Sequence, residues 1–204
     1  MKYILCDVDG VLVNGYHVDP AKRISWSKDL EKDFGIPSSR MESVFFHGPF
    51  GQVMEGKIGL VEALESVMPQ LGYAGDAQTL IDYWFKNDSN INAPFLEWVK
   101  SKDSQNYRFS LATNQEHMRA DYLWSDLGMN HHFDKIYYAA KIGFKKPYAE
   151  FFHYILDDLK IESSSICLID DCPKNIAMAH SLGMKGIVFN GMEDVLNHPF
   201  LNEI

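Results

Sequence analysis

The run Tyr3-Ile4-Leu5-Cys6-Asp7-Val8-Asp9-Gly10-Val11 decides how the rest of the chain is read. Residues 3–6 are too few and too β-prone for a helix, and they predict a short buried strand. The strand ends in two aspartates spaced by two. Side chains alternate faces along a strand, so Asp7 and Asp9 leave the sheet on one side of the chain. Gly10 lets the backbone turn there and brings its amides close to a ligand. Carboxylates beside bare N–H groups suit a divalent cation and, through it, a phosphate. Taken alone, the stretch is equally an acidic, solvated turn.

Composition narrows the classes. A chain of 204 residues, 46% hydrophobic, builds one large core or a core with a lobe. A formal charge of −9 argues against broad binding to nucleic acid or to an anionic membrane surface. No apolar run reaches the length of a membrane-spanning helix. The first residues enter a strand with no signal-peptide layout, and Cys6, Cys167 and Cys172 form no CxxC pair. The expectation is a cytoplasmic protein with reduced thiols packed as small hydrophobes.

Outward from the first strand, Asn14-Gly15 between Val11-Leu12-Val13 and Tyr16-His17-Val18 predicts a hairpin flap beyond the carboxylates. Asp19-Pro20 opens a helix that Gly35 stops. Ser39 to Glu42 has capping-box spacing before Val44-Phe45-Phe46, and His47-Gly48-Pro49-Phe50-Gly51 breaks any helix. Ile58, Leu60, Val61, Leu64 and Val67 recur at helical spacing, and Asp76 caps a helix through Tyr83-Trp84-Phe85. Residues 16–92 therefore read as an all-helical lobe, too long for a simple crossover.

From residue 93 strands alternate with helices. A helix opened by Asn92 and Pro94 runs through Trp98, and a strand spans Tyr107 to Thr113. A helix from Glu116 to Leu127 closes at Gly128, and a strand spans Lys135 to Ala139. Pro147 opens a helix to Leu159, a strand spans Ile166 to Ile169, a helix runs from Pro173 to Leu182, and Gly186 to Phe189 is the last strand. The fold class is α/β, a doubly wound parallel sheet built from residues 1–15 and 93–204 with the helical lobe inserted. Ligands of such sheets sit beyond the carboxyl ends of the strands, and Asp7, Thr113 and Asp171 all fall at strand ends.

Each of these has a plain reading beside its functional one. Thr113-Asn114 before a helix offers a hydroxyl and amides to an anion, or is an ordinary turn. Lys146, extended against Pro147, neutralises a phosphoryl group, or is a surface lysine like Lys145. The Asp170-Asp171 doublet closing an apolar strand is hard to explain without a cation. Asn175, four residues on, is placed to orient Lys146 or Asp171 from behind. His131-His132 reads as a loop pair rather than a metal clip, and the aromatic stripes Phe45-Phe46, Tyr83-Trp84-Phe85 and Phe151-Phe152 as core.

The motifs Asp-x-Asp-Gly-Val, Thr113, Lys146-Pro147 and Asp170-Asp171, in that order, resemble the haloacid dehalogenase-like (HAD) hydrolase superfamily. The resemblance covers the whole sheet, and the lobe resembles the small helical cap of that superfamily. The Asp-Asp form of the last motif resembles the branch of β-phosphoglucomutase, glucose-1-phosphate phosphatase and the epoxide hydrolase N-terminal phosphatase. It implies Asp7 as nucleophile and Asp9 as general acid and base. Gly10, Thr113, Asn114 and Lys146 would bind the phosphoryl group. Mg2+ would sit on Asp7, Asp171 with Asp170, and the Asp9 backbone carbonyl. True dehalogenases of the superfamily lack the second aspartate, so Asp9 implies phosphate chemistry.

The implied activity is Mg2+-dependent hydrolysis of a small phosphorylated metabolite, a sugar phosphate or similar, through an aspartyl phosphate. A phosphosugar mutase of the same fold is the alternative, and a non-enzymatic phospho-binding module stands behind both. In a signalling receiver the acidic pair comes first, whereas here the second acidic pair comes last, after Thr113 and Lys146. In the lobe, Phe50, His47 and Gln52, with Lys57 after them, are the candidates for substrate contact.

Overall fold

The computed structural model describes residues 1–202. Five parallel strands form one sheet: β1 (Lys2–Cys6), β2 (Tyr107–Thr113), β3 (Ile136–Tyr138), β4 (Ile166–Asp170) and β5 (Lys185–Val188). Their order is β3-β2-β1-β4-β5. The order reverses between β1 and β4, and that reversal leaves a crevice at their carboxyl ends.

The alternation of side chains buries both faces of the sheet. Ile4, Cys6, Phe109, Leu111, Cys167 and Ile169 pack with Phe95, Trp98 and Val99 of α6 (Ala93–Ser101). Tyr3, Leu5, Ala112, Ile166 and Leu168 face the other way, onto Phe151, Phe152 and Ile155 of α9 (Ala149–Leu159) and Ile176 of α10 (Pro173–Ser181). A strand apolar on successive residues has no solvent face, which is why these runs read as continuous rather than alternating.

Between β1 and β2 lie the short helices α1 (Leu30–Phe34), α2 (Ser38–Met41) and α3 (Phe50–Met54), then α4 (Leu60–Leu71) and α5 (Ala77–Asn87). Leu30, Phe45, Val53, Leu64, Leu80 and Phe85 build a hydrophobic cluster of their own there. Asp76 accepts from the Thr79 amide and caps α5, as its spacing predicts. The remaining helices are α7 (His117–Asp121), α8 (Ala139–Ile142), α11 (Met192–Leu196) and α12 (Pro199–Asn202).

Several local expectations are corrected. No hairpin forms at Asn14-Gly15, because Gly15 does not take the positive φ that a tight hairpin turn demands. The backbone pairs across the chain instead: the Asn14 amide donates to the Asn90 carbonyl at 2.8 Å and the Asn92 amide to the Leu12 carbonyl at 2.8 Å. The path out of the sheet is thus stitched to the path back. Asp19-Pro20 opens only one 3-10 turn, Pro20–Lys22, and the helix that Gly35 stops begins at Leu30. The Ser39–Glu42 box is absent because Ser39 lies inside α2, whose N-cap is Pro37. Phe50 and Gly51 begin α3 rather than only interrupting. Beyond Pro147, α9 begins at Ala149.

Phe151 is fully buried between α9 and the sheet. Phe151→Ala is expected to lower the free energy of urea unfolding by about 3–5 kcal/mol, from lost transfer energy and the cavity left behind. An unchanged urea midpoint would contradict this packing.

Candidate active site

The carboxyl ends of β1, β2 and β4 bring the separated motifs together. Lys146 is buried with its ammonium 2.8 Å from Asp7 Oδ1 and 2.7 Å from Asp170 Oδ2. Asn114 holds the backbone of that lysine from both sides: its Oδ1 accepts from the Lys146 amide at 2.8 Å and its Nδ2 donates to the Lys146 carbonyl at 3.1 Å. Asp170 accepts from the Cys172 amide at 2.9 Å and from Asn175 Nδ2 at 2.9 and 3.0 Å. Asn175 therefore reaches Lys146 through Asp170.

Asp7, Asp170 and Asp171 each present a buried carboxylate oxygen within 4.8 Å of the others. Hard oxygen donors so concentrated fit a divalent cation. Gly10 has φ +80°, and a Cβ there would lie 2.6 Å from Asp171 Oδ2. Only glycine leaves room for the aspartate at this turn. Asp171 also accepts from the Val18 amide at 2.5 Å, and His17 Nδ1 stands 3.5 Å from the same oxygen.

Asp9 Oδ2 accepts from Gln115 Nε2 at 2.6 Å, while its buried Oδ1 has no partner. Burial pushes the Asp9 carboxyl up to about 7, with Asp88 adding to the rise and Arg119 and Lys146 opposing it. Burial also raises the Asp7 carboxyl well above the carboxylate range, helped by Asp170 and resisted by Lys146. Burial pulls the Lys146 ammonium down, but Asp170 and Asp7 outweigh it and hold the proton on. Thr113 Oγ1 is buried without a hydrogen-bond partner, a hydroxyl aimed at nothing the protein supplies.

A cavity of about 580 Å3 opens over these groups. Asp7, Asp9, Asn114, Lys146, Asp171 and Asn175 line it, and from the helical segment so does Phe50. Gly10, Thr113, Asp170, His47, Gln52 and Lys57 do not. His47 is exposed beside Glu42 at 3.3 Å, Lys57 pairs with Glu55 at 2.6 Å, and Gln52 is exposed on α3. The aromatic stripes split: Phe45 and Phe85 are core, whereas Phe46 and Trp84 line the cavity with Trp26. Gln115, Arg119 and Asp88 also line it and went unread in the sequence. Their neighbours in the chain carry no distinguishing spacing. Arg119, on α7, is buried, donates to the Phe85 and Asp88 carbonyls, and stands 3.6 Å from Asp88 Oδ2, tying the end of α5 to α7.

The model of the family described as haloacid dehalogenase-like hydrolase matches residues 1–183. The chain belongs to that family. Among solved structures, a HAD family enzyme of Bacteroides thetaiotaomicron, bt-2542, in complex with magnesium and inorganic phosphate, is similar at a TM-score of 0.74 and 20% identity. The match covers 91% of this chain and 92% of that one. A HAD-like hydrolase of Porphyromonas gingivalis gives a TM-score of 0.72 at 23% identity, over 91% and 89% of the two chains. Bifunctional epoxide hydrolase 2 of Mus musculus is 23% identical over 212 residues, 93% of this chain and 36% of that protein. The chain spans about a third or less of the length of the curated relatives it matches. Among the described residues no helix is long and apolar enough to cross a membrane.

A raised carboxyl binds its proton more tightly folded than unfolded, so ionising Asp7 costs stability as pH rises above the usual value of about 4. Lys146 offsets that cost. Lys146→Met is therefore expected to lose about 3 kcal/mol in urea unfolding at pH 8. The loss should shrink at pH 5, where Asp7 more readily keeps its proton. A penalty independent of pH would separate the lysine from the carboxylates.

Proposed function

We propose that this chain is a Mg2+-dependent phosphatase that hydrolyses a small phosphorylated metabolite through an aspartyl phosphate on Asp7. The observation that carries this reading is the convergence of Asp7, Asp9, Lys146 and Asp171 on one buried rim, with Lys146 salt-bridged to Asp7. The magnesium and inorganic phosphate bound by the Bacteroides enzyme support the two ligands. Asp7 and Asp171 would hold Mg2+, while Asp170, engaged by Lys146, Asn175 and the Cys172 amide, orients the cluster. The cation lowers the repulsion between a carboxylate and a phosphate dianion and polarises the phosphoryl oxygens.

Asp7 attacks phosphorus in line; its oxygen–phosphorus bond forms as the ester P–O bond breaks. Asp9, its carboxyl raised to about 7, gives its proton to the departing alkoxide. The same group, now ionised, takes a proton from the water that hydrolyses the intermediate. Lys146 and the unpartnered Thr113 hydroxyl stabilise phosphoryl oxygens. A halide leaves without a proton, so a buried acid next to the nucleophile favours phosphate esters over haloacids. The helical segment, residues 16–92, acts as the cap that roofs the cavity and excludes bulk water.

With Mg2+ and a generic aryl phosphate, Asp7→Asn is expected to lose at least about 10³-fold in phosphate release while its circular dichroism and thermal midpoint stay near the parent's. Substantial residual turnover would remove Asp7 from the nucleophile's place. Asp9→Asn is expected to lose about 10²–10⁴-fold, and more on an alkyl ester than on an activated aryl ester, because the poorer leaving group needs the proton more. Equal losses on both esters would contradict the acid's part.

A further inference from the structure

Beyond the carboxylates the cavity ends in a wall of rings. Trp26 stacks on Trp84 with centroids 5.6 Å apart and 29° between planes. Phe46 stands edge-on to both, at 6.2 Å from Trp26 and 5.2 Å from Trp84. Phe50 closes the group at 5.0 Å from Phe46 and 5.7 Å from Trp84. All four are half-buried, unlike Phe45 and Phe85 directly behind them, which are sealed in the core. A ring left half open on a concave wall keeps an apolar face for a ligand.

The polar side chains of this wall do not form a complementary set. Arg23, Ser25 and Glu42 line the same cavity but are exposed, and Arg23 already donates to the His17 carbonyl. The buried Arg119, Asp88 and Gln115 are engaged in turn by the Phe85 and Asp88 carbonyls, by Trp84 Nε1 and by Asp9. A polyol needs several buried, convergent donors and acceptors, because each hydroxyl taken from water must be paired again. A nucleobase needs the same along its edge. An apolar body needs only the rings, and about 580 Å3 is far more space than a phosphoryl group fills.

Resting on the phosphatase reading, we propose that the substrate is a phosphate monoester of an apolar alcohol, its hydrocarbon body seated on Trp26, Phe46, Phe50 and Trp84 while its phosphate meets Asp7. The ester P–O bond breaks, the alkoxide takes the proton of Asp9 and leaves as the alcohol, and water supplies the oxygen of the phosphate released. The wall selects by burying the alcohol, so its effect falls mainly on KM.

The test uses the full chain with Mg2+ and primary alkyl esters of similar intrinsic reactivity: decyl phosphate, 2-phenylethyl phosphate, glucose 6-phosphate and adenosine 5′-monophosphate. Phosphate release is expected to show kcat/KM at least about 10-fold higher for the two apolar esters than for the sugar or the nucleotide. Trp26→Gln, on an irregular segment outside any helix, should narrow that preference about 10-fold through KM; Phe50→Gln is the second variant should the first fold poorly. Decyl phosphonate should quench the tryptophan fluorescence of Asp7→Asn, a binding readout that needs no turnover. Hydrolysis that favours glucose 6-phosphate or the nucleotide, or variants that leave the preference intact, would overturn the apolar substrate and leave the phosphatase standing. No release from any ester would overturn the phosphatase reading and this proposal with it.

Discussion

One buried ammonium holds the centre of this molecule together. Lys146 lies between Asp7 and Asp170, and both carboxylates are out of water. Desolvating a charge costs more than one partner returns, so the cluster stands only because the lysine, the amide of Cys172 and Asn175 share it. The balance is still uneven: Asp7, Asp9, Asp170 and Asp171 share Lys146 among them, with Arg119 acting on Asp9. The surplus of negative charge is what makes the rim receptive to a cation, and its cost to the fold is the cost of the site.

A second buried cation does a different task. Arg119 gathers the carbonyls at the end of α5 and the Asp88 carboxylate, and so fixes the end of α5 against α7. It also tempers the field that Asp88 imposes on Asp9. Gln115 completes the contact by donating to Asp9. The position of the aromatic wall over the carboxylates thus rests on an ion pair and on the backbone stitching between residues 12–14 and 90–92.

Legibility followed the range of the forces involved. Strands β1 and β4 could be read because their continuous apolar runs reflect burial on both faces, and β2, β3 and β5 were anticipated to within a residue at each end. The polar residues at their ends could be read because a parallel sheet sends every carboxyl end to one edge. Asp76 and Gly35 were legible because caps and helix stops are settled within a few residues. The hairpin at Asn14-Gly15 was misread because partners 76 residues away, from Asn14 to Asn90, outcompete the local turn. The ring stripes were misread in part because Phe45 and Phe46, adjacent on one π-helical turn, face opposite destinations.

The sequence by itself determined the α/β order of elements and the four stretches that carry charge and hydroxyls, since each rests on periodicity, capping or a strand end. Only the tertiary structure decided that Lys146 is buried between two aspartates, that Asn114 grips its backbone and Gln115 reaches Asp9, and that Trp26, Phe46 and Trp84 look into the cavity. Those are contacts between residues far apart in the chain, and no local pattern encodes a distance across the fold.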